Sequence, residues 1–244
     1  MEFEIDIIGT GSSGNAIYID NCILIDMGLP YKVIGKYLEE AEKILITHRH
    51  GDHLNIPALR KINKLKPWKL QNVLHCNQDV ANKIKDSELK SFDFKVKQDK
   101  IFDSDKDMFE FNINDNHYQV ETFLLDHDVQ NQGFIITKNN EINLIYATDT
   151  STMKYAPIDR KFDYIFVEGN YDEDRVAEAL DSKDTNVQYR AMRNFRHLSI
   201  QSFYDYVNKV MKPESHVFQL HESSVFGINS EIVKKRKVEQ DESR

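Results

Sequence analysis

The order of elements predicts an α/β chain in four layers (αββα), two mixed β-sheets packed face to face with helices outside. Two observations carry this. Two strand-rich blocks are each followed by helices, a pattern whose apolar faces are buried by sheet-on-sheet packing under helical cover. At 244 residues with 40% hydrophobic and 11% aromatic side chains, the chain is long enough for one large domain with a substantial core.

The elements follow in order. Residues Phe3 to Ile8, Asn15 to Asp20 and Cys22 to Asp26 read as strands punctuated by Gly9, Gly11, Gly14 and Gly28, so the chain opens as a β-meander. Apolar residues recur at helical spacing over Tyr31 to Glu40, and the strand Lys43 to Thr47 then runs into His48-Arg49-His50-Gly51-Asp52-His53. From Ile56 to Leu89 the pattern is helical, broken by Pro67 and the strand-like Val73 to Cys76. Strands resume at Met108 to Ile113, Tyr118 to Leu125, Gly133 to Thr137, Asn143 to Thr148 and Phe162 to Val167. A polar helical stretch from Asp172 to Ala191, a helix from Ile200 to Met211 and a strand from His216 to Leu220 complete the set. The reading gives a domain over residues 1–228 and a tail over 229–244. The tail carries Lys234-Lys235-Arg236-Lys237 and reads as a solvated terminus, with a nucleic-acid or partner contact as the alternative.

Charge narrows the function classes. With 32 Lys plus Arg against 40 Asp plus Glu, the net charge of -8 argues against a long basic track for duplex nucleic acid, though not against a local basic patch. No apolar run approaches the roughly 20 residues that span a bilayer, and Met1 to Asp6 lacks a basic, apolar leader. Cys22 and Cys76 have neither CxxC spacing nor a disulfide-rich setting. The expectation is a cytoplasmic protein with no membrane partner.

Chemistry concentrates at His48 to His53. Alternate residues of an extended segment point the same way, so His48 and His50 converge on one ion, and Asp52 and His53 project from a bend at Gly51 toward a second. Packing gives no reason to gather three imidazoles and a carboxylate in six positions. The glycine-rich Gly9 to Asn15 leads into a strand with no helix behind it, which excludes a P-loop or dinucleotide fingerprint and leaves a tight turn.

The spacing His-x-His-x-Asp-His resembles the signature of the metallo-β-lactamase superfamily. That resemblance implies the remaining ligands at later strand ends: His127 for the first metal, Asp149 as the carboxylate bridging both, and His221 for the second. It implies two divalent ions, zinc first with manganese or iron as alternatives, and Asp26 bracing the site by accepting an imidazole N–H. Val167-Glu168-Gly169-Asn170 and Arg196-His197-Leu198-Ser199 further resemble the ribonuclease Z side of the superfamily and a related group of small bacterial phosphodiesterase-like or nuclease-like proteins. The glycine-rich, basic arm with which ribonuclease Z grips tRNA has no counterpart in composition. The implied function is hydrolysis of a phosphodiester by a hydroxide activated between ions about 3.5–4 Å apart. Asp52 assists the nucleophile, and His197, oriented by Glu168, protonates the leaving group. The substrate is nucleic acid or nucleotide, short or single-stranded, and the relatives suggest a homodimer. The alternative is a hydrolase of a small lactone or thioester.

Overall fold

A computed structural model describes residues 2–66, 70, 73–87, 101–102 and 107–228. The charged tail, the run around Pro67 and the segment near Leu89 lie outside the described residues. The first sheet comprises β1 (Ile5–Gly9), β2 (Ala16–Ile19), β3 (Ile23–Ile25), β4 (Lys43–Leu45), β5 (Leu74–Asn77) and β6 (Ile101–Phe102), side by side in that order. Its first three strands pair antiparallel as the expected meander, and the rest pair parallel. The parallel connections run through α1 (Tyr31–Glu40), α2 (Ile56–Leu65) and α3 (Gln78–Asp86).

The second sheet repeats the plan. In it, β7 (Met108–Ile113), β8 (Asn116–Leu125), β9 (Asn131–Lys138) and β10 (Ile142–Ala147) form an antiparallel run. Next come β11 (Phe162–Glu168) and β12 (Met211–Leu220), paired parallel. Between them lie α4 (Glu173–Leu180), α5 (Thr185–Arg193), a 3-10 turn (Asn194–Arg196) and α6 (Ile200–Val210).

Both faces of each sheet are apolar because both are covered. Ile17, Ile19, Ile23, Ile25 and Leu45 meet Tyr118, Phe134, Ile136, Tyr146 and Phe166 between the sheets. On the outer face of the first sheet, Leu24, Ile44 and Ile46 pack under Ile34, Leu38, Leu59, Ile62 and Val80 from the three helices. On the outer face of the second, Ile135, Ile145, Ile165 and Val167 pack under Phe203, Val207 and Val210 of α6. This is the four-layer αββα sandwich.

Three elements differ from the sequence reading. The polar stretch after Asp172 is two helices, because Asp172 and Asp184 each cap a separate helix, accepting hydrogen bonds from Arg175 N (3.1 Å) and Asn186 N (2.8 Å). The last strand starts at Met211, pairing with Phe162 before a register shift that accommodates Pro213, which has no N–H to donate. The two-residue β6 is too short to leave a periodic signal.

Candidate metal centre

Strand β4 ends at Leu45, and the loop after it is fixed by backbone hydrogen bonds to neighbouring loops. Met27 N donates to His53 O (2.9 Å), Asn15 N to Asp52 O (2.7 Å), and Leu54 N to His50 O (2.8 Å). Gly51, expected to permit the bend, has no left-handed φ, and a Cβ there would meet nothing within 4 Å. Glycine is required instead at Gly28, where a Cβ would collide with the Asp52 carbonyl.

Three donor groups converge. His48, His50 and His127 form the first, with His50 Nδ1 3.1 Å from His48 Nε2 and 3.3 Å from His127 Nε2. A tetrahedral ion with metal–nitrogen bonds of about 2.0–2.1 Å spaces its nitrogens about 3.3–3.4 Å apart, so the fit is close. His48, His53 and Asp149 form the second, and Asp149, Glu168, His197 and His221 the third. Asp149 joins them. Its Oδ2 lies 2.5 Å from His53 Nε2 and 3.8 Å from His48 Nε2, while its Oδ1 lies 3.0 Å from His221 Nδ1 and 3.4 Å from His197 Nδ1. That Oδ2 is buried yet accepts no hydrogen bond of acceptable geometry, a deficit that a cation removes.

Of the remaining expected residues, Asp52 stands apart from the three groups, with Oδ2 3.8 Å from His53 Nε2 and its side chain 28% exposed on the cleft wall. Asp26, fully buried, accepts from His53 Nδ1 (2.7 Å), Thr47 N (2.9 Å) and the Thr47 hydroxyl (3.0 Å). The same hydroxyl is 3.0 Å from His48 Nδ1. Asp26 and Thr47 thus engage the Nδ1 atoms of both imidazoles and leave Nε2 toward the centre. The Asn15 amide also reaches His53 Nε2, at 2.8 Å. Glu168, fully buried, engages His197 Nδ1 (2.6 Å) and His221 Nδ1 (2.9 Å) through one oxygen and takes Thr150 N (2.8 Å) on the other.

The protein groups alone divide the histidines by charge. Burial pushes His48 well below its ordinary value, and the neighbouring His53 adds to the effect; burial lowers His127 as well. Both are therefore neutral at pH 7, the form that ligates metal. Burial also disfavours charge on His53, but Asp26 and Asp149 outweigh it and hold its value well up. Burial likewise opposes charge on His197 and His221, yet hydrogen bonds to Asp149 and Glu168 raise them to about 9 and about 10. Burial would raise Asp149, but the His53 charge and hydrogen bonds from His197 and His221 hold it well below the carboxylate range. This pocket of carboxylates calls for positive charge, which protons or metal ions can supply.

Sequence reasoning missed several contributors. Asp128 lies 3.5 Å from His50 Nε2 and 3.3 Å from His127 Nε2, and Arg196 holds its other oxygen at 3.0 Å. Asn131 positions Asp149 through its carbonyl (2.7 Å), and Asn170 positions His221 in the same way (2.6 Å). Adjacency to His127 was the available signal for Asp128; the two amides gave none. His50, Asp52, His127, Asp128, Asp149, His197 and His221 border a cleft of about 630 Å³, whose lining also includes Thr10 to Ser13 and Arg190, Arg193 and Arg196.

Fold and donor set together define a divalent-metal-binding hydrolase. Residues 26–204 match the family model described as the Beta-lactamase superfamily domain, and the chain belongs to that family. It is 25% identical over 212 residues to Exodeoxyribonuclease WalJ of Streptococcus pneumoniae, a span covering 81% of this chain and 72% of that protein. It is also 25% identical over 161 residues to Exodeoxyribonuclease YycJ of Bacillus anthracis, covering 62% of this chain and 55% of that one. Among solved structures, the metallo-β-lactamase fold protein YhfI from Bacillus subtilis superposes with a TM-score of 0.62 at 14% identity, over 98% of this chain and 93% of that one. Human tRNase Z, short form, gives 0.61 at 15% identity, over 90% and 93%. Both likenesses establish the fold. No described helix is long and apolar enough to cross a membrane.

Proposed function

We propose that this protein is a nuclease that hydrolyses phosphodiesters of short or single-stranded nucleic acid, DNA first, with two divalent ions, zinc first. The observation that carries this reading is Asp149, whose carboxylate reaches imidazoles of both expected metal sites, His48 through Oδ2 and His221 through Oδ1. The relatives named exodeoxyribonucleases support the polynucleotide substrate. In this assignment His48, His50, His127 and Asp149 would hold one ion. His53, His221 and Asp149 would hold the other, with Asp52 beside them on the cleft wall. What two such ions supply when bound is a water ionisable near pH 7 and positive charge against the phosphoryl oxygens.

The chain's own residues do the rest. Asp52, partly exposed on the cleft wall, accepts a hydrogen bond from the attacking water. His197 has Nδ1 engaged by Glu168, which fixes the ring and leaves Nε2 as the nitrogen that protonates the departing oxygen. In the protein alone, burial opposes charge on this ring while hydrogen bonds to Asp149 and Glu168 favour the protonated form that a donor needs. The proposal also covers a homodimer in a reducing, cytoplasmic setting, consistent with two buried free thiols; light scattering measures the assembly. It further takes residues 1–228 as one hydrolase domain and 229–244 as an appended tail.

The test measures metal content, then turnover on bis-p-nitrophenyl phosphate, a thioester, and labelled single- and double-stranded DNA and RNA. Wild-type protein is expected to hydrolyse the diester and the single strands, and His50→Ala to lose metal and turnover together. Full activity in metal-free His50→Ala protein would refute the assignment. Hydrolysis of the thioester alone would establish a small-carbonyl hydrolase instead.

A further inference from the structure

One part of the cleft wall is basic in a chain of net charge -8. Arg190 and Arg193 lie three residues apart in α5, Arg196 follows in the 3-10 turn, and all three are exposed and line the cleft. Several cations elsewhere are paired: Arg49 with Asp79, Lys66 with Glu39, Lys138 with Asp20, Arg160 with Glu121 and Lys212 with Asp163. Arg190 and Arg193 have no ion pair among the described residues. Arg196 binds Asp128, which touches both His50 and His127, so the basic wall is tied directly to the metal centre.

The helix is held so that this face stays outward. Ala191, the buried residue of α5, packs with Tyr171, Val176 and Phe226. The Asn194 amide caps the end of α5, donating to Arg190 O (2.9 Å) and Ala191 O (3.2 Å). His197 follows Arg196 directly, so the basic wall ends beside the expected proton donor.

We propose that Arg190 and Arg193, with Arg196 as the anchored member, form a phosphate rail that binds a single-stranded polynucleotide next to the bond being cut. The inference rests on the nuclease reading and names the residues that would hold its substrate. Arg190 and Arg193 lie one turn apart, with Cβ atoms about 5–6 Å from each other. Each guanidinium offers a planar fork suited to phosphate oxygens. Unpaired arginines contribute little to folding, whereas phosphate contacts make affinity fall steeply with salt.

The experiment titrates a fluorescent single-stranded DNA oligonucleotide into metal-loaded full-length protein over a salt series. It compares wild type, R190Q/R193Q and the control K32Q/K36Q, which removes the same charge from the exposed face of α1. Loss of two phosphate contacts is expected to flatten the slope of log K against log salt by about 1.4 and to weaken binding at least about 10-fold. The control is expected to keep both. The single variants R190Q and R193Q, each expected to flatten the slope by about 0.7, serve if the double variant does not fold. In turnover, the loss is expected in KM and to be larger on the oligonucleotide than on bis-p-nitrophenyl phosphate. Unchanged slope and affinity, or equal loss on both substrates, overturns the rail. If wild type binds the strand through these arginines without cutting it, the nuclease reading falls and the rail stands. If it cuts the strand and R190Q/R193Q behaves identically, the rail falls and the nuclease reading stands.

Discussion

Glu168 is a fully buried carboxylate with one oxygen shared between His197 and His221. The sequence reading paired it with His197 alone, and the shared oxygen gives it a second task, orienting His221. This separates three variants. His197→Ala removes a proton donor while leaving the assigned ligands in place, so metal content is expected to hold and kcat to fall about 100-fold or more. Glu168→Gln releases both rings, so it is expected to lose turnover and about 10–100-fold in metal affinity as well. His50→Ala is expected to lose both outright. Metal titration followed by isothermal calorimetry, with diester hydrolysis alongside, resolves the three patterns. If His197→Ala loses metal as His50→Ala does, His197 belongs among the ligands.

At the scale of elements, the site is built by the way strands end. Asp26 after β3, Asp149 after β10 and His221 after β12 all take left-handed backbone, with φ of 60°, 54° and 54°. Asp and His tolerate this region better than most residues, so three strand ends turn a polar side chain sideways toward one point. The His48–His53 loop is braced from behind by the loop after β3, where Gly28 lets the Asp52 carbonyl approach the backbone. Gly28→Ala is therefore expected to destabilise by about 1–3 kcal/mol, roughly 2–12 °C in Tm, and to lower metal affinity by moving the loop. Gly51→Ala, in open space, is expected to be neutral. Urea denaturation of both variants checks the contrast, and equal stability would show that the loop does not lean on Gly28. The place of Gly51 within the His48–His53 run pointed to that glycine, because sequence shows a bend but not what packs against it.

For the molecule as a whole, the gathering of His48, His50 and His53 was legible because the run is local, and that of His127, Asp149 and His221 because each follows an apolar strand. The layer order was legible for the same reason, since burial on both faces leaves long apolar strands. Asn131 and the shared role of Glu168 were not, because they act between residues distant in sequence. The arginine face of α5 hid within a stretch that reads only as polar, its orientation set by the single buried Ala191. The candidate metal donors divide between the halves: His48, His50 and His53 follow a strand of the first sheet, while His127, Asp149 and His221 follow strands of the second. An ion bound among these donors would tie the two sheets together at one end, and its binding energy would add to the stability of the folded chain. With free metal at about 1,000 times its dissociation constant, that addition is about 4 kcal/mol, or roughly 8–16 °C in Tm for a chain of this size. Chelation is expected to lower Tm by that amount, and re-addition of the ion to restore it, with scanning calorimetry as the measure. Chelation of His50→Ala protein is expected to move Tm much less, because the link between sheets is already broken. An unchanged wild-type Tm on chelation would mean that the two sheets are joined without the ion.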